Sequence, residues 1–177
     1  GGALKVVFKR PDLNEPSASL SGEASTNAGY WGEAETLIVN RPLVEDKVGV
    51  RLAAYHRRDP PYLENRRLGL KGINDSATWG GRLGVGFQFD NDVQINLTVA
   101  HQQARDGDTS GGWAGAPPNV SYGHVRTPFD SRMTMYEGAL SWRFSGMRLT
   151  ANAASYTWKS TRQIDYTGTL QSERLSL

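Results

Sequence analysis

The sequence predicts an all-β fold, an antiparallel transmembrane β-barrel, and three observations lead to this prediction. First, apolar residues recur at every second position in several segments. Residues 92–103 have Val93, Ile95, Leu97 and Val99 on one side, because successive side chains of a strand point to opposite faces. Second, these segments run to about 11 residues, the length that a tilted strand needs to cross a bilayer. Third, short turns alternate with long loops, as they do in outer-membrane barrels.

The pattern predicts about eight strands. Their approximate bounds are 17–26, 30–41, 46–57, 77–90, 92–104, 132–144, 147–159 and 171–177. Tight connections rich in turn-forming residues follow the second, fourth and sixth strands, at 42–46, 90–92 and 145–146. The other connections are long, at 58–76, 105–131 and 160–170, and the short link at 27–29 is the exception. We therefore expect the tight turns to face the periplasm and the long loops to face outside.

Aromatic and charged residues support this arrangement. Aromatic girdles at both interfaces are expected of a membrane barrel, and they would comprise Tyr30, Trp31, Tyr55, Trp79, Tyr156 and Trp158 near the outer strand ends, with Phe87, Phe89, Trp142 and Phe144 near the inner ends. A charge at the lipid midplane costs ~2–4 kcal/mol, so the charged strand residues are placed on the polar face: Glu33, Glu35, Arg51, Arg82, Glu137 and Arg143. A soluble barrel or sandwich with the apolar face inward remains an alternative, because the period does not distinguish inside from outside.

The composition of the chain narrows the classes of structure and function that the sequence allows. The 177 residues contain no run of 18 apolar residues, so no membrane-spanning helix is predicted. The mean hydropathy of −0.52 is compatible with a barrel, in which every second residue faces a polar lumen. A net charge of +2 with dispersed Lys and Arg argues against a nucleic-acid partner. The absence of cysteine excludes a disulfide framework and a thiolate metal site. No signal peptide is visible, so we expect a processed or incomplete chain.

Two segments carry more specific motifs. Residues 1–11 read Gly-Gly-Ala-Leu-Lys-Val-Val-Phe-Lys-Arg-Pro, and residues 40–55 begin Asn-Arg-Pro-Leu-Val-Glu-Asp-Lys-Val. In their order and spacing they resemble TonB-dependent outer-membrane receptors, in which a Gly-Gly-x-Leu/Ile-x-Val-x-x-Lys-x-Pro pattern ends the plug domain and a similar hairpin joins the second and third barrel strands. The resemblance implies part of a plugged barrel of about 22 strands. Residues 1–15 would be the end of the plug and its link, and residues 16–177 the first strands of the barrel.

The resemblance also implies a function. Such a receptor lies in the outer membrane of a Gram-negative bacterium and takes up a scarce ligand, such as a ferric siderophore, a cobalamin or a glycan. Its implied partners are outer-membrane lipid, the small-molecule or metal-chelate ligand, and TonB, which delivers energy from the inner membrane through a box that this sequence lacks. No cofactor is implied.

Residues in two outer loops are candidates for ligand contact, since guanidinium groups suit anionic chelates and aromatic rings stack on ligand rings. They are Tyr62, Arg66, Arg67, Trp113, Tyr122 and His124. On the polar face, Arg51, Arg82 and Glu137 are expected to face the lumen and to hold the plug through charged hydrogen bonds.

Two other classes of function are alternatives to a receptor. A self-contained eight-stranded barrel could serve as an anchor or adhesin, although the plug-like first residues and the non-aromatic last residue argue against it. An enzyme is not expected, because no G-x-S-x-G motif is present and the three histidines lack the spacing of a metal motif. Residues 106–110 resemble only part of a calcium loop. We therefore predict neither a catalytic nor a metal site.

Overall fold

Seven long strands form one antiparallel sheet in the computed structural model, which describes residues 8–90, 92–109 and 116–167. In chain order the strands are β1 (Ser17–Asn27), β2 (Tyr30–Val44), β3 (Val48–Asp59), β4 (Glu64–Asn65), β5 (Leu70–Lys71), β6 (Ser76–Gln88), β7 (Val93–Asp106), β8 (Val120–Ser121), β9 (Phe129–Phe144) and β10 (Met147–Arg162). The sheet order is β1-β2-β3-β6-β7-β9-β10, so each long strand pairs with the next one along the chain. The all-β prediction is confirmed, while the predicted strand at 171–177 lies outside the described residues.

Two hairpin turns are as tight as the sequence predicts, for a backbone reason. Ala28 and Gly29 have φ angles of 50° and 82°, and Ser145 and Gly146 have φ angles of 48° and 78°. Positive φ at both central residues is typical of a type I′ turn, whose twist matches that of the flanking strands.

The hairpin between β2 and β3 differs from the expectation. The strand passes through Pro42 and ends at Val44, and the register with β3 shifts between these two residues. A bulge at this point accommodates a proline, which has no N–H to donate to the ladder. The turn itself is therefore confined to residues 45–47.

The register gives the sheet an apolar face and a polar face. Leu83 on β6 pairs with Leu52 on β3 and with Val99 on β7, so the three side chains share one side of the sheet. This apolar face is open, with Leu83 43% and Leu97 50% exposed. Its larger members at the middle of the sheet include Leu20, Leu37, Leu52, Leu83, Leu97, Tyr136 and Leu149.

Residues 8–16, which we call the strap, lie against the polar face. Asn40 on β2 is 1% exposed beneath the strap. Its Oδ1 accepts a hydrogen bond from the Asp12 amide at 2.9 Å, and its Nδ2 donates to the carbonyl oxygens of Asp12 at 3.0 Å and Glu15 at 2.9 Å. A single buried side chain thus satisfies three backbone groups of the strap.

Glycines on the polar face make room for the strap. A Cβ at Gly49 would lie 2.9 Å from the carbonyl oxygen of Asp12 and 3.0 Å from Cδ2 of Leu13. A Cβ at Gly86 would lie 3.4 Å from the same Leu13 atom and 3.6 Å from Cβ of Pro11. Gly49 on β3 and Gly86 on β6 therefore allow the strap to approach the sheet closely.

The placement of Glu33 and Glu35 on the polar face is wrong. Glu35 pairs with His56, and both glutamates have the same strand parity as Leu37, so they lie on the apolar face. The error has a physical cause. On β2 the aliphatic residues of the apolar face end at Leu37, and the next two positions of that face are Glu35 and Glu33.

Part of the predicted outer girdle is also wrong. Tyr30, Tyr55, Tyr156 and Trp158 have the parity of the polar face, whereas Trp31 and Trp79 lie on the apolar face. The hydroxyl of Tyr55 accordingly donates to Oε1 of Gln102 across the polar face, at 2.6 Å. The aromatic residue type alone predicted a position near the strand end, but it did not predict which face of the sheet the side chain occupies.

At one end of the sheet, two loops fold together. β4 pairs antiparallel with β5 and parallel with β8, which joins residues 60–75 to residues 116–128 in a unit that we call the loop layer. Leu63, Ile73 and Val120 form its small core and are 1%, 4% and 4% exposed. The first two of the three long connections predicted from the sequence thus pair with each other.

In the described part of the chain, β1 and β10 are the edges of the large sheet, each with one neighbour. β10 is exposed along all 16 of its residues. Long, straight edges offer unpaired N–H and C=O groups to another strand. Among the described residues, no helix is long and apolar enough to cross a membrane.

Replacing Asn40 with alanine should release the strap. The loss of three hydrogen bonds at a buried site should reduce the free energy that holds the strap by about 2–3 kcal/mol, which corresponds to roughly 30- to 150-fold faster amide exchange in residues 12–15. Hydrogen exchange with mass spectrometry measures this rate. Asn152→Ala, an exposed asparagine on the polar face of β10, is the matched control. Equal exchange rates in Asn40→Ala and in the unchanged protein would contradict the role of Asn40 in holding the strap.

Candidate functional site

The three predicted lumen residues share the polar face. Arg51 pairs with Gly84, Arg82 pairs with Ala53, and Glu137 lies on the same side of β9. The guanidinium carbon of Arg82 lies 4.6 Å from the ring centroid of Phe8 in the strap, a cation–π contact. The strap therefore touches this charged group through an aromatic ring.

The arginines and the glutamate do not form close ion pairs with one another within the described residues. The Nε atom of Arg51 is buried, and the described part of the protein supplies it with no hydrogen-bond partner. A buried donor of this kind calls for an acceptor. Whether Arg51, Arg82 and Glu137 hold a plug stays a prediction.

The loop layer brings together five of the six predicted ligand residues. Nε of Arg67 donates to the carbonyl oxygen of Tyr122 at 3.0 Å, which ties the first loop to the second. Nε of Arg66 lies 3.7 Å from a carboxylate oxygen of Glu64. The remaining two described residues are Tyr62, at the start of the first loop, and His124, in the second. Trp113 lies outside the described residues, and ligand contact by the whole set stays a prediction.

A row of residues that sequence reasoning missed crosses the top of the polar face. Asp59 pairs with Ser76, Ser76 with Asp106, Asp106 with Phe129, and Phe129 with Arg162. We call these five residues the terminal row, because each is the first or last residue of its strand. No single strand carries this signal, and it is visible only once the register of five strands is known.

The terminal row forms one wall of a cavity of about 630 Å³, and the loop layer forms another. An adjoining cavity of about 330 Å³ shares Asp108, Thr109, Thr127 and Arg162 with it. These volumes suit small-molecule ligands. The walls offer hydroxyl, carboxylate, amide and guanidinium groups, together with the rings of Tyr62 and Phe129.

The charged side chains around this cavity differ in whether they have hydrogen-bond or ion-pair partners. Asp59 is neutralised by Arg57, whose Nη2 lies 2.8 Å from its Oδ1. The backbone amide of Thr127 donates to Asp108 at 3.0 Å. Arg162, in contrast, makes no ion pair with any described residue. An unpaired guanidinium beside hydroxyl groups can bind a carboxylate, phosphate or hydroxamate oxygen of a ligand.

A concavity of about 560 Å³ on the apolar face is a weaker candidate. Its lining is dominated by aliphatic residues such as Leu83, Val85 and Leu97, with few polar groups to orient a ligand. It is a groove on the open face of the sheet. We therefore place the candidate site at the terminal row and the loop layer.

Asp165 fastens the second loop beside this site. Its Oδ2 accepts a hydrogen bond from the amide of His124 at 2.6 Å, and its Oδ1 accepts one from the amide of Thr167 at 3.0 Å. Bonds from Thr167, with others from His124 and Val125, lower the pKa of Asp165 from its ordinary value of 3.8 to about 2. The carboxylate form is therefore the one that the fold stabilises.

Comparison with known proteins identifies no relative. No protein-family model matches the chain, and no curated protein or solved structure matches it.

Acidification should loosen the second loop at Asp165. Because the folded pKa is depressed, the carboxylate contributes its full stabilisation above pH 3.8 and loses it as the pH falls to about 2. Hydrogen exchange at the amides of His124 and Thr167, corrected for intrinsic rates, should show falling protection in that window. Asp165→Asn should show low protection that does not change across the same window. Protection of β7 amides is the internal control, and identical profiles for the variant and the unchanged protein would contradict the assignment.

Proposed function

We propose that this chain is part of the wall of an outer-membrane β-barrel that takes up a small ligand, in the manner of a TonB-dependent receptor. One observation carries the proposal: the sheet has its apolar face open, while the strap covers part of its polar face on β2, β3 and β6. Soluble proteins rarely expose a contiguous apolar patch of this extent. A lipid-facing wall with a polar interior requires this distribution.

The height of the apolar stretch is close to that of the apolar band of a membrane barrel, which supports the proposal. On β9 the apolar face runs from Tyr136 to Phe144, which is ~27 Å along a strand at ~3.4 Å per residue. A tilt of ~40° reduces this to ~21 Å, close to the ~25 Å apolar band of membrane barrels. Charged residues on the same face begin beyond its upper end, at Glu35, Arg132 and Lys159.

A soluble sandwich or barrel fits the exposure of the two sheet faces poorly. A soluble sandwich or barrel would bury Leu52, Leu83 and Leu97 and expose the polar side. In the described residues these leucines are 41%, 43% and 50% exposed, while Asn40 on the polar face is 1% exposed beneath the strap.

The two edges favour a larger barrel. Unpaired backbone groups on β1 and β10 would be costly in lipid, so we propose that further strands complete the wall. A self-contained barrel of about eight strands would have to fill its lumen with side chains. The polar face of this sheet instead presents glycines to the strap, which suits a wide lumen occupied by a plug. The strap would be the last part of that plug.

The ligand would bind at the terminal row and the loop layer, on the outer side. Tyr62, Arg66, Arg67, Tyr122 and His124 lie on the loop layer, and Arg162 contributes an unpaired cation to the cavity. Ferric siderophores, cobalamins and glycans remain the candidate ligand classes. TonB would supply the energy, and outer-membrane lipid would contact the apolar face.

Spin labels along β7 test the membrane part of the proposal. The chain has no cysteine, so single cysteines at positions 93–99 give unique labels in lipid vesicles. We expect high oxygen accessibility at Val93, Ile95, Leu97 and Val99 and low accessibility between them, with a period of two residues. A label at Lys47, in a tight turn, is the water-exposed control. Preferential contact of the Leu97 label with a water-soluble nickel complex would contradict a lipid-facing wall.

Growth and uptake assays test the transport part. A deletion strain expressing the full receptor would be offered ferric siderophores, cobalamin and glycans as the limiting nutrient, with and without an uncoupler. We expect energy-dependent uptake of one class. If Arg162 contacts that ligand, Arg162→Ala should raise the half-saturating concentration about 10- to 150-fold through the loss of a charged hydrogen bond. Arg148→Ala, at the other end of β10 on the same face, should leave it unchanged. Failure to take up any class would contradict transport and leave the spin-label result standing.

A further inference from the structure

We propose that Glu33, Glu35 and His56 form a binding site for a divalent cation of the zinc class, a site that the sequence motifs do not predict. The three side chains lie on the apolar face, beyond the upper end of its apolar stretch. Glu35 and His56 are direct partners in the ladder between β2 and β3, and Glu33 is the next residue of the same face. The ladder thus fixes three metal-ligating side chains from two strands on one side of the sheet.

The donor atoms are already close together. One oxygen of each carboxylate and one ring nitrogen of His56 lie within 4.8 Å of one another. Nδ1 of His56 lies 3.2 Å from Oε2 of Glu35. Ligand atoms around a tetrahedral zinc ion lie about 3.3–3.6 Å apart, given metal–ligand distances of about 2.0–2.2 Å. The half-exposed side chains of Glu35 and His56, at 51% and 45%, leave room for the small rotations that bring the donors to that spacing.

The charges around the cluster provide a separate argument. Arg58 is the direct ladder partner of Glu33, yet the two side chains form no ion pair in the described structure. The carboxylate of Glu33 approaches Glu35 and His56 instead. Two carboxylates at this distance repel each other. A divalent cation between them removes that repulsion, which a monovalent arginine on one side does only in part.

The donor set selects the class of metal. One imidazole nitrogen with two carboxylate oxygens suits Zn²⁺ and Ni²⁺, whereas Ca²⁺ and Mg²⁺ prefer oxygen ligands alone. Three protein ligands leave the fourth position of a tetrahedral ion to water or to a donor from another molecule. This inference goes beyond the proposed uptake function and does not depend on it.

Calorimetric titration of the untagged, intact protein in detergent with zinc chloride tests the site. We expect one equivalent of Zn²⁺ to bind, with millimolar magnesium chloride failing to displace it. His56→Ala and Glu35→Gln should each weaken binding at least tenfold, since even outer-shell changes at metal sites cost about 10- to 100-fold. Retained strand content by circular dichroism checks that each variant folds.

His101→Ala is the matched control. His101 lies on the same face, on β7, where its Nδ1 contacts the hydroxyl of Thr134 at 2.8 Å, and its removal should leave the affinity unchanged. Absence of zinc binding, full affinity in His56→Ala, or displacement by magnesium would each overturn the proposal. None of these outcomes would affect the uptake assay, which needs no added zinc.

Discussion

The hydrogen-bonded ladder between neighbouring strands is the constraint on which the other features depend. Each strand alternates its side chains, so the register alone decides which residues share a face, and a slip of one residue would exchange the two faces. The ladder from β1 to β10 runs with one shift, at Pro42 and Val44. That regularity aligns the leucines of the apolar face, the glycines beneath the strap and the five residues of the terminal row.

The strap imposes a second requirement on the same ladder. Asn40 is a polar side chain with almost no exposed surface, and it is tolerated because its amide bonds to backbone groups of Asp12 and Glu15. A side chain at position 49 or 86 would meet the strap, and one at position 86 would also meet Oδ1 of Asn96 on β7. The strap and the sheet therefore specify each other, and neither set of residues is explained by strand propensity.

The sequence predicted those features that depend on local pattern. Val93 to Val99 alternate without interruption, so β7 and its faces followed directly, and the tight turn between β9 and β10 followed from Ser145 and Gly146. The side of Glu35 was readable from its two-residue spacing to Leu37 on β2, but the rule that charges avoid lipid overrode that parity. Features that depend on pairing were out of reach. The alignment of Asp59 and Arg162 in the terminal row requires the register of five strands, which no single-strand pattern contains.

The small core of the loop layer has a consequence for how this molecule loses its structure. Leu63, Ile73 and Val120 are buried from water, whereas the leucines of the large sheet are not buried by any described residue. The aqueous hydrophobic effect thus stabilises the loop layer, and the sheet depends on backbone pairing and on whatever covers its apolar face. Urea and detergent composition should therefore act on different parts of the chain, and the end that carries the cavity can melt while the strands persist.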